Sequence, residues 1–225
     1  MNSRLRLIAL AAACLASAPP LAAREPVDPR LPTWQQSHLA EGSMEDRILR
    51  AFAYCSVRVR RAEAEALLET SPGSAEERAA AQALALFGQV NDCATRSDIH
   101  FRGAGGMILL RGLTAEFLHN REAPEARHYD PRPEPVAPPE YVPLPRRVAA
   151  CAVHRAPEQV HAMIRFDHDS PGETRMLRQL RPILLECLPG EVTLPVTRHI
   201  VRALLAEALY HFSRDQAGRI ASSAP

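Results

Sequence analysis

The sequence predicts an all-α protein that consists of two tandem homologous small helical bundles, of about four helices each. Two observations lead to this prediction. Short motifs recur in one order in both halves of the 225-residue chain, and the apolar residues between them follow helical spacing. The recurrence predicts a duplicated unit of roughly 70 residues, with one copy at residues 43–121 and the other at residues 146–215.

The repeated motifs are short, but they keep their order. The matched segments are "YCSVR" at Cys55 with "ACAVHR" at Cys151, "SPGSAEE" at Ser71 with "SPGE" at Ser170, "NDCA" at Cys93 with "LECL" at Cys187, and "RGLTAEFL" at Arg111 with "RALLAEAL" at Arg202. The spacing between copies drifts along the chain, as it does when loops change length while the packed core is kept.

Capping boxes predict where the third helix of each copy begins. Ser74 with Glu77, and Ser170 with Glu173, have the required spacing. Apolar residues then follow at helical spacing and end on a cysteine, which we therefore expect on the buried face of the helix. These residues are Ala83, Leu86, Val90 and Cys93 in the first copy, and Leu177, Leu180, Leu184 and Cys187 in the second.

The cysteines predict one internal disulfide in each copy. Apart from Cys14, the chain contains Cys55, Cys93, Cys151 and Cys187, which allow three pairings. Because the copies correspond, we expect Cys55 to pair with Cys93 and Cys151 with Cys187. Each bond would join the first helix of its unit to the third and stabilise the unit by roughly 4 kcal/mol in the chain-entropy model.

Residues 1–23 are typical of a secretory signal peptide. Basic residues precede an apolar run, Leu7–Ala18, that is too short to span a bilayer, and small residues follow it. A lipoprotein acylated at Cys14 is a minor alternative. Residues 24–42 look irregular. We expect a periplasmic or secreted protein that has no transmembrane segment once the signal is removed.

Residues 122–145 form a predicted linker. They include eight prolines and little apolar periodicity, which is typical of an extended connector. Residues Pro138–Tyr141 match the PPxY motif that WW domains bind, although any proline-rich stretch with a tyrosine can produce that match. We therefore expect two separate domains on a tether, and a disordered tail at residues 216–225.

No catalytic motif stands out, since the chain lacks a nucleophile elbow, a zincin helix and a phosphate-binding loop. His161, His168, Asp167 and Asp169 are weak candidates for metal ligands, because they offer nitrogen and oxygen donors in one short stretch. The first copy has no matching histidines. We expect solvated surface residues here and no cofactor.

The last helix of each copy carries an arginine and a glutamate, namely Arg111 with Glu116 and Arg202 with Glu207. Residues five apart on one helix do not face each other. Twin binding sites are one interpretation of the recurrence. We expect instead that each residue makes a structural contact inside its own unit.

The segments "CAVHR", "LLECLPG" and "RALLAEALY", with the Ser-Pro-Gly-Glu turn, resemble exported proteins of sphingomonad-type bacteria that contain similar cysteine-bearing helical units. The resemblance covers both copies and implies the helical fold, but no known activity comes with it. The first copy departs from the pattern, with "CATR" for "CLPG" and "LHNR" for "LYHF", which puts equal function of the two copies in doubt.

These patterns favour a non-enzymatic periplasmic or secreted interaction protein that contacts other envelope proteins, since two linked units suit bivalent contact. All 27 basic residues are arginine, but the net charge is only +1 and acids are interleaved with them, so we expect no nucleic-acid partner. Two alternatives stay open. One is a small metal-dependent or hydrolytic envelope enzyme that uses the histidine-rich second unit; the other is a small-molecule-binding module with a pocket between the units.

Overall fold

The structure is a computed structural model, and it describes residues 44–86, 103–122, 129, 142–190, 192–194 and 196–223. These residues form eight α-helices and contain no strand, so the all-α prediction is confirmed. The predicted signal segment with Cys14, the segment 24–42, the PPxY motif and Cys93 lie outside the described residues.

The first half contains α1 (Met44–Val59), α2 (Arg61–Glu69), α3 (Ala75–Leu86) and α4 (Gly103–Glu122). The second half contains α5 (Leu144–Arg155), α6 (Pro157–Ile164), α7 (Pro171–Glu186) and α8 (Arg198–Ser223). A proline lies in the first turn of α5, α6 and α7, where its missing N–H removes no helical hydrogen bond.

Two hydrophobic cores lie side by side. Helices α1–α4 build the first core, which also includes Tyr210 of α8. Helices α5–α8 build the second, which also includes Tyr129 and has Ile108 of α4 packed against it. Each core therefore takes in a side chain from beyond its own four helices.

Helices α4 and α8, called here the central helices, pack along each other between the two halves. Every residue in Leu110–Glu116 and in Val201–Glu207 is buried, so about two turns of each helix are enclosed on all sides. A helix buried all round needs neighbours on both sides. Each central helix packs on its own half and on the other central helix, so the halves are not held apart on a tether.

Three further expectations are corrected. α8 continues to Ser223, so most of the tail expected to be disordered is helical. Ala81 and Leu84 are buried in α3, whereas Ala83 is only half-buried. Tyr129, within the predicted extended linker, is buried in the second core. Despite the length of α8, no helix in the described segments is long and apolar enough to cross a membrane.

A disulfide joins Cys151 of α5 to Cys187 at the end of α7, with a Cα–Cα distance of 5.8 Å, and confirms that predicted pair. Cys55 of α1 is also disulfide-bonded. Its predicted partner, Cys93, lies outside the described residues. The observed bond fixes the first helix of the second half to the third, as the sequence predicts.

Candidate functional site

The turn before α3 is held by Glu77. The Glu77 N–H donates to Ser74 Oγ at 3.0 Å, and the Glu77 carboxylate accepts from the Gly73 N–H at 2.6 Å. Gly73 has a φ of 82°, a conformation that glycine adopts without the clash a Cβ would cause. The first predicted capping box is therefore present, with the carboxylate bonded to the N–H one residue before Ser74, and it buries this carboxylate in the first turn of α3.

The turn before α7 has the same hydrogen bonds. The Glu173 N–H donates to Ser170 Oγ at 3.1 Å, and the Glu173 carboxylate accepts from the Asp169 N–H at 2.6 Å. Asp169 has a φ of 64°, which aspartate tolerates better than most residues. The second capping box is confirmed. Structurally, Ser170 matches Ser74 rather than Ser71, although the repeated Ser-Pro-Gly motif suggested Ser71.

Arg111 of α4 binds the C-terminal end of α2. Its two terminal nitrogens donate to the carbonyl oxygens of Leu67 at 2.7 Å and Leu68 at 3.0 Å, in the last turn of α2. Nη1 also lies 3.4 Å from the carboxylate of Glu77. Nε donates to Glu207 of α8 at 2.7 Å. Because Arg111 is only 1% exposed, these protein groups replace water around its charge.

Arg202 of α8 has a matching set of partners. Nη2 donates to the carbonyl oxygens of Ile164 and Phe166, each at 2.9 Å, where α6 ends. Nη1 lies 3.1 Å from a carboxylate oxygen of Glu173. Nε and Nη2 donate to the two oxygens of Glu116 of α4, at 2.9 and 2.7 Å, which is a bidentate ion pair.

The two arginine–glutamate pairs therefore cross between the halves. We expected Arg111, Glu116, Arg202 and Glu207 to make contacts inside their own units. This is right for the arginines, which bind carbonyl groups of their own half. It is incomplete for the glutamates, because each binds the arginine of the opposite half, and Glu207 has in addition a partner in its own half, Arg146. Both guanidinium groups are engaged by protein atoms, which argues against twin ligand-binding sites.

Each of these glutamates has one more neighbour. Glu207 also accepts from Arg146 of α5, and Glu116 lies 3.2 Å from Nε2 of His168. Burial acts to raise the pKa of Glu116, but the hydrogen bonds and charges of His168 and Arg202 outweigh it and hold the pKa below the usual 4.5. Burial acts to lower the pKa of Arg202, and its carboxylate partners outweigh that effect and raise it.

The central helices are in close contact at Gly112 and Ala203, which directly follow Arg111 and Arg202 in the matched segments. A Cβ on Gly112 would lie 2.3 Å from both the Cα and the Cβ of Ala203, so only glycine permits this approach. Matching positions of the two helices thus face each other at the crossing. This arrangement places each arginine beside the glutamate of the opposite helix.

Two cavities adjoin the central helices. One lies between the halves, but Glu116, His168 and Arg202 at its wall already bind one another. Its lining is completed by Leu49, Arg50, Leu109, Leu113, His199 and Ala203. The other is apolar and lies inside the second half, not between the units, lined by Pro145, Val148, Ala149, Leu184, Leu188, Leu194, Val196, Val201, Leu204 and Leu205.

A separate buried polar cluster, called here the His–Tyr cluster, consists of His119, His161 and Tyr129. His119 Nε2 and His161 Nδ1 are 2.9 Å apart, and the Tyr129 hydroxyl oxygen lies 3.3 and 3.1 Å from these nitrogens. Ser213 Oγ lies 3.4 Å from His119 Nδ1. All four residues are at most 5% exposed. The cluster connects α4, α6, α8 and the segment after α4.

The weak metal-ligand candidates are not brought together. His161 belongs to the His–Tyr cluster, His168 contacts a glutamate of α4, Asp169 pairs with an arginine of α8, and Asp167 is exposed. Within the described ranges, no three His, Cys, Asp or Glu side chains form a group that could hold a metal ion. The expectation of solvated residues is wrong for His161, which is buried.

Sequence reasoning missed His119, Tyr129 and Ser213. One signal was available for His119: when Arg111 is matched with Arg202, His119 has the position that Tyr210 has in α8. Both residues are buried against the opposite half. No comparable pattern marks Tyr129, because it lies in a proline-rich stretch without periodicity.

No family model, curated protein or solved structure matches this chain. The resemblance to exported proteins of sphingomonad-type bacteria stays a prediction.

Proposed function

We propose that this chain is a non-enzymatic periplasmic or secreted interaction protein, in which two homologous helical units are joined as a pseudo-symmetric pair. The crossed pairs Arg111–Glu207 and Arg202–Glu116 support the pseudo-symmetric pairing, and the exposed side chains of α1 described below support the interaction role. In an isologous interface, residue i of one side contacts residue j of the other, and j contacts i. The crossed pairs follow this rule within one chain.

Two observations support the extracytoplasmic location. The Cys151–Cys187 bond is of the kind that persists in oxidising compartments, and Cys55 is disulfide-bonded as well. The basic and apolar pattern of residues 1–23 is typical of a signal peptide.

The outer face of α1 is the proposed contact surface for another envelope protein. Tyr54 is 49% exposed and Val59 is 59% exposed, and the Arg58 guanidinium lies 5.5 Å from the centre of the Tyr54 ring. Tyrosine and arginine are enriched among the residues that dominate binding energy at interfaces. Since the halves are packed together, a partner would meet this surface without the entropy loss of ordering a linker.

The test is cross-linked capture from the native envelope fraction, with the full chain as bait, because each half packs on the central helix of the other. The variant combines Tyr54→Ser with Val59→Ser, and the control is Val192→Ser on the second half, where Val192 is also exposed. We expect the wild type and the control to retain the same protein, and the double variant to lose it at least about tenfold.

A melting temperature equal to that of the wild type would show that the double variant is folded. If no protein is retained by the wild type, or if the double variant retains it equally well, the interaction role is wrong.

A further inference from the structure

We propose that His119, His161 and Tyr129 form a binding site for a divalent transition-metal ion such as Zn²⁺. The site is independent of the proposed interaction role, which rests on the central helices and α1. Three potential ligand atoms from three separate parts of the chain meet in a buried position, and each is of a type that binds zinc, copper or iron.

The geometry of the three atoms suits one ion. His119 Nε2, His161 Nδ1 and the Tyr129 oxygen form a triangle with sides of 2.9, 3.1 and 3.3 Å. An ion about 2.0 Å from each atom, the usual zinc distance to nitrogen and oxygen, would lie roughly 1 Å out of their plane. The three atoms are therefore already close to the spacing they would have around a tetrahedral ion.

Ser213 fixes the ring of His119 for this role. The Ser213 hydroxyl has one proton, which it donates to the Leu209 carbonyl at 2.8 Å. At His119 Nδ1 it must therefore accept, so Nδ1 carries the hydrogen and Nε2 carries a lone pair. Nε2 points at the other two ligand atoms. A hydrogen bond to the second ring nitrogen is the usual way in which proteins orient a metal-binding histidine.

Charge and protons balance at this site. Both histidines would bind as neutral rings. Because His119 Nε2 carries a lone pair, its contact with His161 Nδ1 places a hydrogen on His161 Nδ1 in the metal-free form. On metal binding the His161 ring would lose this hydrogen and take one up at Nε2, and the Tyr129 hydroxyl would lose its proton to solvent as its oxygen bonds to the metal. The dication and the phenolate leave one positive charge. Without metal, the three groups hydrogen-bond to one another, so the cluster is compatible with the folded state in both forms.

The experiment uses the full chain, freed of metal and titrated with Zn²⁺ by calorimetry and with Co²⁺ by visible absorption. We expect one equivalent to bind, with the absorption of tetrahedral cobalt and an affinity that rises with pH because a proton is released. Tyr129→Phe keeps the ring and removes the ligand oxygen. It should weaken binding at least about tenfold, as should His161→Gln. Tyr54→Phe, on an exposed tyrosine, is the matched control and should bind like the wild type.

Circular dichroism and melting temperature would identify variants that fail to fold. If Tyr129→Phe is folded but binds metal as tightly as the wild type, or if the wild type binds no metal, the proposal is wrong. It is equally wrong if His168→Gln, at a histidine outside the cluster, weakens binding as much as His161→Gln does.

Discussion

The two arginine clusters beside the crossing of the central helices differ in one partner. Glu207 lies between Arg111 and Arg146, whose guanidinium groups stay charged at any pH at which proteins are folded. Glu116 lies between Arg202 and His168, and an imidazole is charged only when protonated. One cluster thus has a fixed charge and the other a variable one. In a homodimer the two sites would have identical residues, because both subunits share one sequence. Within one chain, each site can have a different residue at the matching position.

The largest expected effect comes from removing Arg202, with removal of Arg111 as its comparison. Arg202→Met leaves Glu116 buried with His168 as its remaining basic neighbour, whereas Arg111→Met leaves Glu207 with Arg146. Loss of one partner of a buried ion pair costs about 3–5 kcal/mol of unfolding free energy. We therefore expect a loss of about 5 kcal/mol for Arg202→Met and about 3 kcal/mol for Arg111→Met. Urea unfolding of the two variants and the wild type measures these losses.

A double-mutant cycle then tests the crossing itself. Arg111→Met should couple more strongly to Glu207→Gln than to Glu116→Gln, which lies on its own helix. Equal coupling to both glutamates would contradict the crossed arrangement.

The next effect concerns the disulfide of the second half. Replacing Cys151 and Cys187 by alanine opens a loop with a sequence separation of 36 residues, and we expect a loss of about 4 kcal/mol in the chain-entropy model. Because the central helices hold the halves together, both halves should still unfold in one transition at a lower urea concentration. Two separate transitions would instead mean that the halves are stable independently.

A smaller effect is expected at the crossing of the central helices. Gly112→Ala places a Cβ against the backbone of Ala203 and should cost about 2 kcal/mol, as overpacked sites do. Gly105→Ala is the matched control on the same helix, because nothing lies within 4 Å of its added Cβ. The control should be neutral or stabilising by up to about 1 kcal/mol. Similar stabilities for the two variants would argue against the close approach.

The smallest effect is a change in the response to acid. The pKa of Glu116 is lower in the folded state than its ordinary 4.5, so its contribution to stability is complete above that value. The contribution is lost as the pH falls through the folded-state pKa. Glu116→Gln should therefore lose less stability than the wild type between about pH 4.5 and pH 3. Parallel curves for the two proteins in urea unfolding would contradict this assignment.

Local rules predicted much of this fold. The capping boxes at Ser74 and Ser170 follow from short-range spacing, and the correspondence of the copies selected Cys151 with Cys187. The crossing of the arginines was not predictable in this way. The five-residue spacing argues against a pair of Arg111 with Glu116 on the same helix. It does not predict which other helix supplies the carboxylate, so it does not predict Glu207.

One sequence signal for the crossing is the width of the apolar stripes of α4 and α8. A wide stripe by itself also fits packing within a single unit. The burial of every residue in Leu110–Glu116 shows why the stripe is so wide: this helix has neighbours on both sides. The His–Tyr cluster could not be predicted from the sequence, because Tyr129 follows no periodic pattern and contacts His161 only in the tertiary fold.

The crossed pairs also set the order in which the chain can fold. Arg111 meets its carboxylate partner 96 positions later in the sequence, and Arg202 meets its partner 86 positions earlier. Until α8 has formed, the first half would have to bury a guanidinium without Glu207 and leave one side of α4 uncovered. Contacts of such long range slow folding, because the chain must close a large loop before they form. We therefore expect slow folding that is completed only once the last helix is available.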